Sequence, residues 1–227
     1  MVYNTKKEWE RAHVECGMAY PSEYVIRIFK GTYPNLDLDK RSFQGKKICD
    51  VGCGDGRNIV LLNECGFNAC GVEITSGIVK KVKSNLDRLG VDAPVEVGSN
   101  DNIPYETGSF DYLLSWNACY YMGEQADFKT YIKEFARVIK PDGYLVMSIP
   151  KKTCFIYQKS QTLRSGYQKI VDDPFGVRNG AVLRMFQGQD EIKKEFDGSF
   201  KDFVFGDIQD DCFGFSYHWH LVICRRK

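Results

Sequence analysis

The sequence predicts a single α/β domain: a doubly wound, mostly parallel seven-stranded sheet with an antiparallel C-terminal strand and helices on both faces. Three observations predict it. Strand-like apolar runs alternate with stretches of helical periodicity between residues 47 and 149, and a glycine-rich turn joins the first strand to the next helix. The chain has 227 residues, 43% of them hydrophobic, enough for one substantial core.

The elements follow in order. In residues 21–30, Tyr24, Val25, Ile28 and Phe29 recur at helical spacing, with Ser22 placed to cap that helix after Pro21. Residues 47–51 form a first strand and residues 57–65 a helix that Gly66 stops. Residues 68–74 are the second strand, 77–89 a helix ended by Gly90, and 95–97 part of a third strand. Residues 110–115 are the fourth strand, 128–139 an amphipathic helix closed by Pro141-Asp142-Gly143, and 144–149 the fifth. Past Pro150 the pattern turns loop-rich, then gives a helix near residues 190–196. Two last strands, 200–205 and 217–224, are expected as an antiparallel pair at the sheet edge.

Charge excludes some partners. With 31 basic and 30 acidic side chains, no net field favours nucleic acid, and no arginine-rich tract suggests it. The first residues are charged and lack the apolar stretch of a signal peptide, and no run of about eighteen apolar residues occurs, so the expected location is cytoplasmic. Nine cysteines, an odd number without a CxxC pair, read as reduced, mostly buried small hydrophobes; no metal site is expected.

Residues 50–57, DVGCGDGR, place three glycines at alternate positions where backbone must approach a ligand closely. The spacing is GxGxG, not the GxGxxG that lays a pyrophosphate on a helix N-terminus. Asp50 before the turn repels such an anion and suits a cationic amino-acid moiety. Glu73, 23 residues on and at the end of the second strand, stands where an acidic side chain accepts both ribose hydroxyls of an adenosine ligand.

Four separated motifs carry a family resemblance: ICDVGCGDGRN (48–58), GVEIT (71–75), GSNDNIPYETGSFDYLLS (98–115) and EFARVIKPDGYLVMS (134–148). In this order the chain resembles the Rossmann-like class I S-adenosylmethionine-dependent methyltransferases, near the branch of ubiquinone and menaquinone biosynthesis methyltransferases. The resemblance implies S-adenosyl-L-methionine as cofactor and S-adenosyl-L-homocysteine as product. It places Asp50, Gly52, Cys53 and Gly54 around the methionyl part, with Arg57 in the same cofactor set, and Glu73 and Ile74 at the ribose. The stretch Ser99, Asn100, Asp101, Asn102 and Ile103 lies at the adenine, with Ile103 on its face. Ser115 and Trp116 stand at the mouth shared with the acceptor. One position departs from the family: Ser99 stands where relatives usually carry an aspartate, so Ser99, Asn100 or Asp101 supplies the acceptor for the adenine amino group.

The same reading divides the chain into an N-terminal helical lid (1–44), a cofactor-binding core (45–150), a substrate-recognition insertion (151–187) and a C-terminal helix with strands (188–227). Tyr3, Trp9, Tyr20 and Tyr24 either line that lid or cover one sheet face. Methyl transfer from a sulfonium is an in-line displacement needing alignment and desolvation rather than a covalent protein intermediate. For a hydroxyl acceptor a general base helps; the candidates are His218 and His220, which alternate on the last strand with Trp219 opposite, and His13. Tyr24, Tyr120, Tyr121, Arg164, Arg178 and Arg184 are the candidate acceptor-binding residues. Residues 151–187 hold seven basic side chains against two acidic ones, which suggests a small, polar, anionic acceptor such as a phosphorylated or nucleotide-linked metabolite, unless that face is merely solvated. O-methylation is favoured over N-methylation because Ser115-Trp116-Asn117-Ala118 replaces the NPPY-like tetrapeptide that serves planar amines. A nicotinamide oxidoreductase and a catalytically silent cofactor-binding module are the competing classes. Oligomeric state has no signature here.

Overall fold

The computed structural model describes residues 5–15, 20–36 and 38–227; Tyr3, Cys16 and the side chain of His13 lie outside the described residues. Along the chain come α1 (Thr5–Glu15), α2 (Glu23–Lys30), β1 (Lys47–Val51), α3 (Arg57–Glu64), β2 (Asn68–Glu73), α4 (Ser76–Arg88), β3 (Val95–Val97) and β4 (Phe110–Ser115). Then follow β5 (Tyr121–Met122), α5 (Phe128–Val138), β6 (Ile139–Pro150), β7 (Ser160–Arg164), β8 (Tyr167–Ile170), β9 (Val182–Arg184), α6 (Gln189–Phe196), β10 (Phe200–Cys212) and β11 (Phe215–Arg226).

The main sheet has seven strands in the order β10-β11-β6-β4-β1-β2-β3. Its spine pairs parallel, β1 with β2 and β4, β2 with β3, and β4 with β6, while β11 alone runs antiparallel to both its neighbours. Order reverses between β1 and β4, and such a switch point opens a crevice at the carboxyl ends of the strands. Side chains on β1 and β4 are buried almost throughout, because helices cover both faces. Under α2, Phe29, Phe43, Phe67 and Tyr112 interlock, with ring centroids 4.5–5.8 Å apart.

Caps show why the helices start where they do. Thr75 Oγ1 accepts from the Ile78 N–H at the head of α4, and Asp127 does the same for Lys129 at the head of α5. Ser22 precedes α2 as expected but makes no side-chain cap; its own N–H donates instead to Asn58 Oδ1, tying α2 to α3.

Three expectations change. Residues 139–143 extend β6 rather than forming a free turn: a bulge against β4 accommodates Asp142 at φ 59°, and Lys201 and Arg225 pair with its carboxylate. The final strands are each longer than the apolar runs suggested, since the largely polar residues 207–212 continue the ladder as a hairpin. That hairpin supplies an interior strand, β11, together with the edge strand β10. Residues 151–187, read as loop-rich, join β5 in a second antiparallel sheet of order β5-β9-β8-β7. Of the eight described cysteines, all free, six are buried, Cys65 is half-buried and Cys212 exposed.

Candidate cofactor and acceptor site

β1 and β2 end side by side, with Asp50 opposite Gly71 and Val51 opposite Val72. The following turn holds Gly52 at φ 75° and Gly54 at φ 59°, the left-handed region that side chains avoid. A Cβ on Gly52 would sit 2.4 Å from the Ala118 Cβ, so the chain after β4 closes on the turn to the limit glycine allows. That closing segment is pinned: Asn117, itself at φ 57°, donates its N–H to Ser148 Oγ at 2.8 Å, and the Ser148 hydroxyl donates back to Asn117 Oδ1 at 2.8 Å.

Asp50 is fully buried, and neither carboxylate oxygen has a hydrogen-bond partner. Burial pushes its pKa up to about 7; the Asn58 amide opposes that shift, the Glu73 charge adds to it, and the Arg57 charge opposes it. An unpaired buried carboxylate is costly to the chain alone, and a cation brought against it removes the cost. Cys53 is buried beside it, with its thiol pushed up by burial. Arg57, at the head of α3, donates to the Tyr20 carbonyl and so anchors the segment before α2.

Glu73 is 5% exposed. Its Oε1 accepts the Gly54 N–H at 2.7 Å and its Oε2 the Ile74 N–H at 2.9 Å. Those two backbone bonds fix the carboxylate in place. Residues 99–102 form a tight hairpin-like turn in which the Ser99 hydroxyl donates to Asp101 Oδ1 at 2.5 Å and Asn102 is exposed. Asn100 is different: its Nδ2 donates to the Ala118 carbonyl at 3.0 Å, and its Oδ1 is buried with no partner. Ile103 is buried, its N–H given to Glu134 and its carbonyl held by Arg137. Ser115 is fully buried with an unpartnered hydroxyl, and Trp116 is buried next to it.

Across the crevice, Tyr120 and Tyr121 stack with centroids 4.9 Å apart, and Trp9 of α1 meets Tyr121 edge-on at 5.7 Å. Arg178 donates through Nε to the Tyr121 hydroxyl at 3.0 Å and through Nη1 to the buried Asp173 at 3.1 Å. The other two arginines expected to face an anionic acceptor are spent on the chain itself. Arg164 donates to the Glu124 and Ala126 carbonyls with its guanidinium over Tyr167 at 3.8 Å, and Arg184 bonds the Gly166 and Met185 carbonyls, Glu191 and Glu195. Both hold the small sheet in shape, which corrects the reading that drew them toward a ligand. Tyr24 likewise spends its hydroxyl on Asp210, at 2.7 Å.

The histidines face away. Pairing of Trp219 with Pro150, Val146 with Leu114 and Leu114 with Asp50 puts Trp219 and Asp50 on one face of the sheet, and His218 and His220 on the other. There His220 Nδ1 lies 2.7 Å from Asp207, and burial lowers its pKa against the pull of that carboxylate. His218 Nδ1 lies 2.9 Å from the Thr153 hydroxyl. The general-base expectation for this pair is therefore corrected: both imidazoles are engaged on the face that does not bear Asp50. Among the described residues no cluster of three metal-ligating side chains exists. Sequence reasoning set Trp219 aside as the residue opposite the histidines, and the same alternation, read the other way, was the signal for it.

The family described as methyltransferase domain matches residues 48–143. An uncharacterized protein of Methanocaldococcus jannaschii is 24% identical over 75% of this chain, which spans 64% of that protein. The 2-methyl-6-phytyl-1,4-hydroquinone methyltransferase of Synechocystis is 35% identical over 46% of this chain, matched over 32% of its own length. The chain thus covers less than two thirds of either relative. Among solved structures, the Burkholderia thailandensis 1,6-didemethyltoxoflavin-N1-methyltransferase, with bound 1,6-didemethyltoxoflavin and S-adenosylhomocysteine, superposes with a TM-score of 0.68 at 13% identity, covering 98% of this chain and 87% of that one. The family match begins inside β1 and runs into the bulge of β6, the part of the sheet that bears the glycine turn and its acidic partner, so it is this segment, residues 48–143, that is similar to the methyltransferase-domain family.

Proposed function

We propose that this chain transfers the methyl group of S-adenosylmethionine to an oxygen of a small polar acceptor. The observation that carries the reading is Asp50, a fully buried carboxylate with both oxygens unpartnered beside a left-handed glycine turn. That arrangement fits the ammonium of a methionyl group and disfavours a pyrophosphate. Glu73, fixed by two backbone donors, accepts the ribose hydroxyls, and the unfilled Asn100 Oδ1 is the best-placed acceptor for a further donor of the cofactor. When bound, the cofactor supplies an electrophilic methyl on a cationic sulfur. The chain's part is to align, desolvate and admit the acceptor.

Residues 1–44 act as the lid in this reading. Glu10 accepts the Thr75 hydroxyl at 2.6 Å at the head of α4, and its neighbour Trp9 reaches Tyr121. Neighbouring residues of α1 thus touch the cofactor half and the acceptor half. The anionic acceptor suggested by residues 151–187 loses its main support, since Lys151, Lys159, Lys169, Arg178 and Arg184 are paired with carboxylates and Arg164 with carbonyls. A near-zero net charge supports a small molecule over nucleic acid. No described helix is long and apolar enough to cross a membrane; a cytoplasmic site of action belongs to the proposal.

The test is calorimetric titration with S-adenosylmethionine, S-adenosylhomocysteine and NAD, on the protein and on Glu73→Ala. Binding of the first two, weakened about 10- to 100-fold in the variant as hydrogen bonds to a charged group are lost, is the expected outcome. Preference for NAD, or no binding, overturns the reading.

A further inference from the structure

Phe155, Tyr217, Trp219, Trp9 and Tyr121 are linked with Arg178 in one cluster, in which Tyr217 and Trp219 stand on the face of the sheet that carries Asp50. Tyr217 lies 4.9 Å and Trp219 6.3 Å from the Phe155 ring, and Tyr217 and Trp219 stack at 6.0 Å. The Arg178 guanidinium sits 5.7 Å from Phe155 and also 5.7 Å from Trp9, which in turn packs on Tyr121. Trp219 is 8% exposed, and its indole Nε1 is buried with no hydrogen-bond partner. Nearly all buried indole N–H groups find an acceptor, so this one points to a group that the chain itself does not provide.

Two of the polar groups of this cluster can only donate. Trp219 Nε1 only donates, and Arg178 only donates. The Asp173 carboxylate behind Arg178 is already occupied, taking the Val177 and Arg178 backbone N–H groups as well as the guanidinium. The Tyr121 hydroxyl accepts from Arg178 Nε. Aromatic walls alone would welcome an ammonium ion, but here a guanidinium already stands against Trp9 and Phe155, and a second cation would meet it directly.

We propose that this cluster borders the methyl-acceptor site, that Trp219 Nε1 and Arg178 hold the acceptor by its oxygen lone pairs, and that the site therefore takes flat, oxygen-bearing neutral or anionic molecules and refuses ammonium ones. The proposal rests on the methyltransferase reading above and adds to it the residues that select the acceptor. Trp9 contributes the wall on the side of α1.

The experiment uses the three tryptophans of the chain as reporters. The indole N–H resonance of Trp219 is assigned in proton–nitrogen correlation spectra by its loss in Trp219→Phe. The full-length protein, saturated with S-adenosylhomocysteine, is then titrated with 4-hydroxybenzoate, 4-hydroxybenzaldehyde and 4-hydroxybenzylamine, which share a ring and differ in carboxylate, carbonyl and ammonium. The expected result is a downfield shift of the Trp219 resonance with the first two and none with the amine. Trp219→Phe should bind those two at least tenfold more weakly while its S-adenosylhomocysteine affinity stays within twofold. An equal shift with the amine, unchanged probe affinity in Trp219→Phe, or no binding of either oxygen probe overturns the proposal. Failure of the protein to bind S-adenosylhomocysteine, read beforehand by calorimetry, is a separate result that breaks the methyltransferase reading itself.

Discussion

Around the glycine turn, Asp50, Asn100 and Ser115 carry buried oxygens that no described residue satisfies, whereas in residues 151–187 Arg164, Arg178 and Arg184 each find partners within the protein. The first region is poor in charge yet incomplete; the second is rich in charge yet mostly complete. A cluster of like charges in sequence is a weak sign of a ligand, because the fold supplies counter-charges from distant residues such as Glu191 and Asp207. A buried polar group left unpaired is the stronger sign, since its cost persists until a ligand removes it.

Breaking the first region should have the largest effect. Gly52→Ala costs roughly 1–2 kcal/mol through the left-handed backbone alone, and its Cβ would also collide with Ala118 at 2.4 Å. Cofactor binding should fall below detection by calorimetry. Adding Ala118→Gly should recover part of the lost melting temperature; no recovery would mean that this contact does not set the turn.

Asp50→Asn should separate stability from function. Burial holds the Asp50 carboxyl at about 7, whereas an unfolded chain ionises it near 4. Between those values the folded state retains a proton that the unfolded state has lost, so the ligand-free protein loses stability as pH rises through that window, on the order of 3–4 kcal/mol in all. The variant should therefore be the more stable protein in urea at pH 8, with the gain gone at pH 4, while S-adenosylmethionine affinity drops at least tenfold. A variant less stable at both pH values would show that the carboxylate is satisfied after all.

Within the small sheet the effects are structural. Arg184→Met leaves Glu191 and Glu195 without their partner and two carbonyls without a donor; with those glutamates partly exposed, a loss of about 2–3 kcal/mol is expected, below the fully buried case. Cofactor affinity should not move. Lys159→Ala, which breaks an exposed pair with Asp172, should change neither melting temperature nor affinity measurably. A clear effect of Lys159→Ala on acceptor binding would bring the exposed basic face of residues 151–187 back into acceptor recognition.

Much of the core was legible. Strand runs at residues 47–51 and 110–115, the helices expected at residues 77–89 and 128–139, and the pairing of glycine turn with Glu73 follow from local propensity and period, which tertiary context here reinforces. The second sheet was not. β7, β8 and β9 are three to five residues long, β7 is largely exposed, and β9 pairs with β5 about sixty residues away, so no local period marks them. The hairpin of β10 and β11 was underestimated for a similar reason: residues 209–211 are polar and exposed on both faces.

The sequence by itself determined the sheet's parallel spine, the glycine turn and its acidic partner, because each is written within one βαβ unit where chain connectivity fixes the geometry. The tertiary structure alone decided which face of β11 meets the crevice. His218 and His220 differ from Trp219 only by one position along a strand, and register against β6, a contact some seventy residues away in sequence, turned the indole toward Asp50's face and the imidazoles toward Asp207 and Thr153.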